Sequence, residues 1–360
     1  MSGGRSKKKQ IKAVDLFCGA GGLTRGLEKA GIDVVFGVDV DPACEYPFHY
    51  NNRANFVLKP VEKLKASDFS SAFNKAGFTL IAGCAPCQPF STYSQGWSSP
   101  DDERWNLLER FGHLVRRIQP DFVTMENVPR LEKQDVFRKF VSLLVREGFE
   151  VSHSVVNCAD YGVPQQRQRL VLLASRHGPI ELIKPTRRPE NYLTVEDAIG
   201  SLPALDAGET CKSDPLHQAC ELSPLNLKRI RASKPGGTWR DWNKKLIADC
   251  HKKSSGKTYP GVYGRMSWDQ TAPTVTTQYY GFGNGRFGHP EQDRAISLRE
   301  GAILQSFPRG YKFVPTGAPI SRKSIGRLIG NAVPVKLGEA IGKSIVKHVE
   351  TLGRSKKRAA

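Results

Sequence analysis

The sequence predicts an α/β protein: a parallel sheet with helices on both faces, joined by a smaller irregular domain. Three observations carry that expectation. Short apolar runs alternate with helical patterns as far as residue 175. After Arg176 the rhythm breaks into a stretch rich in Pro, Gly, Lys and Arg. Helical periodicity then returns at 324–349.

The elements follow in order. Residues 11–17 are the first strand, and 22–30 a helix closed by Gly31, a C-cap signal. The second strand is 34–38 and the next helix 42–50. Stretches 55–58, 80–83, 122–125, 151–157 and 170–175 give five further strands, with helices at roughly 105–118 and 134–147 between them. That rhythm is typical of doubly wound sheets. Residues 177–264 show little periodicity. A strand is expected at 274–278, before the glycine-rich turn Gly281-Phe282-Gly283-Asn284-Gly285. In 324–349, Ile325, Leu328, Ile329, Leu337, Ile341, Ile345 and Val349 mark an amphipathic helical stretch interrupted at Pro334, expected to dock back onto the first domain. No internal repeat is evident.

The chain has 360 residues, with Lys plus Arg (54) outnumbering Asp plus Glu (35) for a formal charge of +19. Such an excess favours a polyanionic partner, usually nucleic acid. No apolar run approaches a membrane span and no export signal is evident, so a cytoplasmic, nucleoid-associated protein with reduced thiols is expected. Residues 1–10 and 351–360 read as disordered basic tails. Cys84-Ala85-Pro86-Cys87 is formally a C-x-x-C, but no second ligand pair accompanies it, and no metal is expected.

Four segments carry chemistry. Ala85-Pro86-Cys87-Gln88-Pro89-Phe90-Ser91 follows an apolar strand and displays a cysteine between two prolines, a setting suited to a nucleophile and less to a packed thiol. Asp15-Leu16-Phe17-Cys18-Gly19-Ala20-Gly21-Gly22-Leu23 runs from strand through glycine turn to helix, and lacks the last glycine of a dinucleotide fingerprint, Thr24 standing there. With Asp39 ending the second strand, placed to accept from ribose hydroxyls, this suits an adenosyl ligand without phosphates, S-adenosylmethionine being the obvious candidate. Glu126-Asn127-Val128 puts a carboxylate at the C-terminal edge of the sheet. Gln165-Gln166-Arg167-Gln168-Arg169 precedes another strand, and alternation would turn Arg167 and Arg169 to one face. Taken singly, each has a bland alternative: a structural cysteine, an ordinary tight turn, a surface salt bridge, a solvated face.

Together with Gly330-Asn331-Ala332-Val333-Pro334, these segments resemble the DNA cytosine-5 methyltransferases of bacteria and phage, over about residues 11–175 and 262–345. The resemblance implies a Rossmann-like methyltransferase sheet. It implies that Cys87 adds covalently to C6 of a cytosine extruded from duplex DNA, that Glu126 holds and protonates the ring, and that Arg169, with Arg167 in support, positions the base. S-adenosylmethionine would lie against Phe17, Gly19, Ala20, Gly21, Gly22, Leu23, Asp39, Val40, Pro86, Leu107, Asn331 and Ala332. Gln88 and Ser91, with Gly96 and Trp97, would belong to a loop that closes on DNA. The family's usual acidic residue after strand three is replaced by Pro60 here, and Glu62 follows two residues on.

The catalytic domain is thus expected at 11–176, completed by 320–350, and the target-recognition domain at 177–319. In the latter, Arg187, Arg188, Arg231 and Arg240 are candidate DNA contacts, and Trp239 and Trp242 exposed indoles able to stack near the base. Expected partners are double-stranded DNA and a cognate restriction endonuclease acting on the same site, with the chain a monomer. Two other functions fit the same residues: a transfer-RNA cytosine-5 methyltransferase, and a catalytically inactive DNA-binding regulator.

Overall fold

The computed structural model describes residues 10–86 and 106–358. Cys87, Gln88, Ser91, Gly96 and Trp97 lie outside the described residues. The chain divides into two compact units, one of Met1–Val156, Gln168–Lys184 and Val335–Ala360, the other of Asn157–Arg167 and Pro185–Pro334. By compactness 157–167 and 320–334 group with the irregular unit and 177–184 with the sheet, which differs from the sequence division at 176 and 320.

The first unit is built on a 7-stranded sheet in the order β3-β2-β1-β4-β5-β7-β6. Its strands are β1 (Ile11–Leu16), β2 (Asp33–Asp39), β3 (Asn55–Leu58), β4 (Phe78–Gly83), β5 (Phe122–Asn127), β6 (Glu150–Asn157) and β7 (Gln168–Ser175). Strands β1 to β5 pair in parallel, while β7 runs antiparallel to β5. The sheet is therefore mixed, and the antiparallel strand proves important for the site. Among the helices, α1 (Gly22–Lys29) follows β1, α2 (Glu45–Asn51) follows β2, α3 (Ala66–Ala72) follows β3, α4 (Asn106–Ile118) precedes β5, and α5 (Asp135–Arg146) follows it.

Alternation along the strands explains how both faces are covered. Val14, Leu16, Val38, Ile81, Val123, Met125 and Leu172 share one core with Phe69 of α3, Phe111 and Val115 of α4, and Phe140 and Leu144 of α5. The intervening Ala13, Leu80, Phe122 and Leu173 are buried as well. A sheet wrapped on both sides needs such near-continuous apolar strands.

The irregular unit holds α6 (Val195–Ile199), α7 (Pro224–Ala232), α8 (Asp249–Lys252), α9 (Leu298–Leu304) and α10 (Arg322–Asn331). With so little regular structure, its backbone groups must find partners elsewhere. Arginines supply many of them. Arg265 donates to the carbonyls of Ile230, Ser233, His289 and Gln292 and pairs with Asp293. Arg294, fully buried, grips Glu300 through two bonds of 2.7 and 2.8 Å. The strand expected at 274–278 is coil and turn instead. There the N–H of Val275 donates to Gln165 Oε1 and its carbonyl accepts from Arg167 Nη1, so side chains replace a strand neighbour.

The last helix, α11 (Val335–Arg358), returns to the first unit and packs on α1. The two approach so closely that a Cβ on Gly26 would sit 2.5 Å from the backbone of Gly338 and Glu339. Only glycine fits at that crossing. Residues 351–358 continue this helix, whereas the composition suggests a disordered tail. Lysine and arginine are good helix formers, and extending an existing helix costs little.

Candidate active site at the strand ends

In a doubly wound sheet the crevice opens where adjacent strands send their chains in opposite directions. Here that point lies between β1 and β4, and the C-terminal ends of β2, β1, β4 and β5 stand side by side. The residues singled out in Asp15–Gly22, at Asp39, at Cys84–Pro86 and at Glu126–Asn127 all leave the sheet along this one edge.

The glycine turn after β1 is made by left-handed backbone at Phe17 (φ 58°), Gly19 (φ 52°) and Gly21 (φ 85°). Glycine takes this region without strain, but an aromatic residue rarely does, and outliers of that kind cluster at ligand sites. Beside the turn, Asp39 Oδ2 accepts from Gly19 N at 2.9 Å and Oδ1 from Asp41 N at 3.0 Å. Val40, the next residue, is 62% exposed, a flat apolar surface beside a fixed carboxylate. Asp15 is buried beneath the turn, and its Oδ2 accepts from Thr24 Oγ1 at 2.6 Å in the first turn of α1, where Gly21 offers no side-chain cap. Burial raises the Asp15 carboxyl to about 7. Its Oδ1 has no hydrogen-bond partner among the described residues. An open turn, a rim carboxylate, an exposed apolar residue and an unsatisfied buried oxygen fit an adenosyl ligand carrying positive charge. Ala20, Gly22 and Leu23 are buried at the start of α1, and Leu107 is half-buried on α4.

Across the switch point, Cys84 N donates to Leu16 O at 3.2 Å, prolonging β4 by one residue. Asn127 Nδ2 then holds the Ala85 carbonyl at 2.9 Å, and exposed Pro86 follows. Glu126 is 3% exposed. Its Oε2 accepts from Cys84 Sγ at 3.0 Å, and its Oε1 lies 2.9 Å from Arg169 Nε. That guanidinium pairs by charge, but no N–H is aligned on Oε1 among the described residues. The antiparallel course of β7 makes the pair possible. Because Asn127 faces Leu170 across the ladder, the start of β7 stands at the edge where the parallel strands end.

Arg167 departs from expectation. It precedes β7, so strand alternation does not govern it. It is 2% exposed, and its guanidinium donates to the carbonyls of Val275, Gly330 and Ala332 inside the irregular unit. It ties the Gln-Gln-Arg segment to the Gly-Asn-Ala segment. Asn331 itself is exposed at the end of α10, and Ala332 half-buried.

Trp239 and Trp242 are 6% and 5% exposed, and both indole N–H groups are satisfied, by Tyr259 O and Ser233 Oγ. They form one apolar cluster of the irregular unit with Ile230, Phe282 and Ala295, so neither is the exposed stacking surface expected. Among the arginines, Arg187 is half-buried and donates to Asn191 O, and Arg231 pairs with Asp293. Arg240 donates to Lys257 O, and Arg188 is exposed. The alignment of Cys84 on Glu126 leaves no signal in the sequence, where 42 residues separate them.

Residues 11–347 match the family of C-5 cytosine-specific DNA methylases, and the chain belongs to that family. It is 51% identical to the Type II methylase M.HgiDII of Herpetosiphon aurantiacus, over 94% of this chain and 96% of that one. It is 32% identical to the Type II methyltransferase M1.HphI of Haemophilus parahaemolyticus, over 93% and 86%. Among solved structures it resembles a candidate DNA modification methyltransferase encoded within an Escherichia coli prophage, with a TM-score of 0.72, 24% identity, and coverage of 94% and 99%. The protein is therefore a methyltransferase acting at C5 of cytosine in DNA, with S-adenosylmethionine as methyl donor. Among the described residues no helix is long and apolar enough to cross a membrane.

Proposed function

We propose that the chain methylates one cytosine within a specific duplex sequence through a covalent adduct between Cys87 and C6 of an extruded base. The observation that carries this reading is the Glu126–Arg169 pair, buried at the end of β5, where Glu126 and Asn127 make one hydrogen bond each to Cys84 and Ala85, the residues that lead to Cys87. Cytosine C5 is a poor nucleophile. Addition of the Cys87 thiolate at C6 moves electron density to C5, while Glu126 holds the ring edge and supplies a proton at N3, and Arg169 keeps that carboxylate oriented and offsets developing charge. S-adenosylmethionine supplies an electrophilic methyl group. Phe17, Gly19, Asp39 and Val40 would hold it, the turn admitting close approach and Asp39 accepting from ribose hydroxyls. After methylation, water or hydroxide removes the C5 proton, the electron pair expels Cys87 as the thiolate, and N3 returns its proton to Glu126. Because the duplex covers the C6 face, the base must leave the stack first.

Residues 177–319 would choose which cytosine is presented, through exposed Arg188, Arg231 and Arg240 and the more sheltered Arg187. The chain would work as a monomer on DNA, beside a cognate endonuclease; the names of its relatives, Type II methylase and Type II methyltransferase, support the type II restriction-modification setting alone. Expression in a host lacking cytosine methylation, followed by base-resolution sequencing, tests the whole reading. Every copy of one short sequence should carry 5-methylcytosine. Methylation found only in transfer RNA, or none at all, would refute it.

A further inference from the structure

The thiol of Cys84 is absent from the reaction just described, yet it touches the carboxylate at its centre. Its position is fixed from both sides. The Cys84 N–H is bonded to Leu16 O, and the next carbonyl, Ala85 O, is held by Asn127. Sγ thereby rests 3.0 Å from Glu126 Oε2. With Arg169 at the other oxygen, 2.9 Å away but unaligned, the thiol is the one aligned hydrogen-bond donor that Glu126 receives among the described residues.

We propose that Cys84 is a positioning residue for methyl transfer, its thiol fixing the plane of the Glu126 carboxylate against which the target cytosine is held. The inference rests on the role of Glu126 proposed above. A carboxylate turns freely about its last torsion unless its oxygens are tethered, since that torsion is broad. Arg169 alone supplies charge without an aligned bond and leaves the rotation open. The thiol closes it, so the ring meets an oxygen pair already in the plane it must share with the base. Catalysis is sensitive to such orientation, whereas DNA affinity rests largely on phosphate contacts made elsewhere.

Cys84→Ala removes the donor, and Cys84→Ser restores one of similar size. With the full-length enzyme and duplex substrate, Cys84→Ala is expected to lower kcat about tenfold, the effect of one lost hydrogen bond. KM for DNA and the thermal midpoint should stay close to those of the unaltered enzyme. Cys84→Ser should recover most of the loss. Native kcat in Cys84→Ala overturns the proposal. So does equal impairment of both variants, or a loss that appears in KM or folding instead. Glu126→Gln serves as the control. If it is inactive while Cys84→Ala turns over normally, this inference alone fails. If Glu126→Gln keeps full turnover, the role of Glu126 fails too.

Discussion

Asn127 Nδ2 donates to the carbonyl of Ala85 at 2.9 Å, while Asn127 Oδ1 accepts from Val128 N at the same distance. The strand that carries the carboxylate thus also ties down the peptide two residues before Cys87. Asn127→Ala should untie it. A misplacement near 1 Å costs on the order of 10²-fold in rate. We expect single-turnover methylation to slow by about that factor, with S-adenosylmethionine affinity, read by calorimetry, little changed.

The two arginines of the Gln-Gln-Arg-Gln-Arg segment should fail differently. Arg169→Lys keeps a charge near Glu126 but loses the planar fork, and should lower kcat/KM by about 10²-fold or more with little change in thermal midpoint. Arg167→Lys leaves buried carbonyls of Val275, Gly330 and Ala332 short of donors, which should cost roughly 1–3 kcal/mol of stability. Calorimetric unfolding beside steady-state kinetics separates the two effects.

His289 gives the irregular unit an acid sensitivity. Burial lowers this imidazole from 6.5 to about 4, against the opposing pull of Glu300. Its Nδ1 accepts from the N–H groups of Glu291 and Gln292, so the folded state needs it neutral. The unfolded chain binds that proton more readily, so stability is present above pH 6.5 and is lost as pH falls toward 4, by on the order of 3 kcal/mol. His289→Gln should flatten the slope of denaturation midpoint against pH across that window.

Much of this was legible beforehand because apolar runs and glycine turns are local signals. Residues 55–58 are a strand with the bounds expected, and the catalytic segments fall at strand ends because connections in such sheets must. What escaped depended on partners far away. The β-branched run 274–278 has strand propensity, but Gln165 and Arg167 take both backbone groups of Val275. Trp239 and Trp242 sit among charges in the sequence, yet a unit with few helices needs its largest apolar groups inside. The Cys84–Glu126 bond depends on β4 and β5 being neighbours, which no spacing reveals.

Recognition should depend strongly on salt. A chain of formal charge +19 that neutralises several phosphates releases counterions on binding, so log affinity should fall steeply against log salt concentration. Arg188→Ala, Arg231→Ala and Arg240→Ala, tested singly on specific and random duplexes, separate two roles. Loss on both substrates marks a phosphate contact, and loss of the difference between them marks a base contact.

The covalent role of Cys87 is the centre of the account, and trapping on DNA that contains 5-fluorocytosine tests it most directly, because the fluorine at C5 blocks the final elimination. With S-adenosylmethionine present, the unaltered enzyme should form an adduct that survives denaturant, and peptide mapping should place it on Cys87. Cys87→Ser should form none while still binding S-adenosylmethionine, and Cys84→Ser should still trap. An adduct in Cys87→Ser, or one mapped to Cys84, would contradict the account.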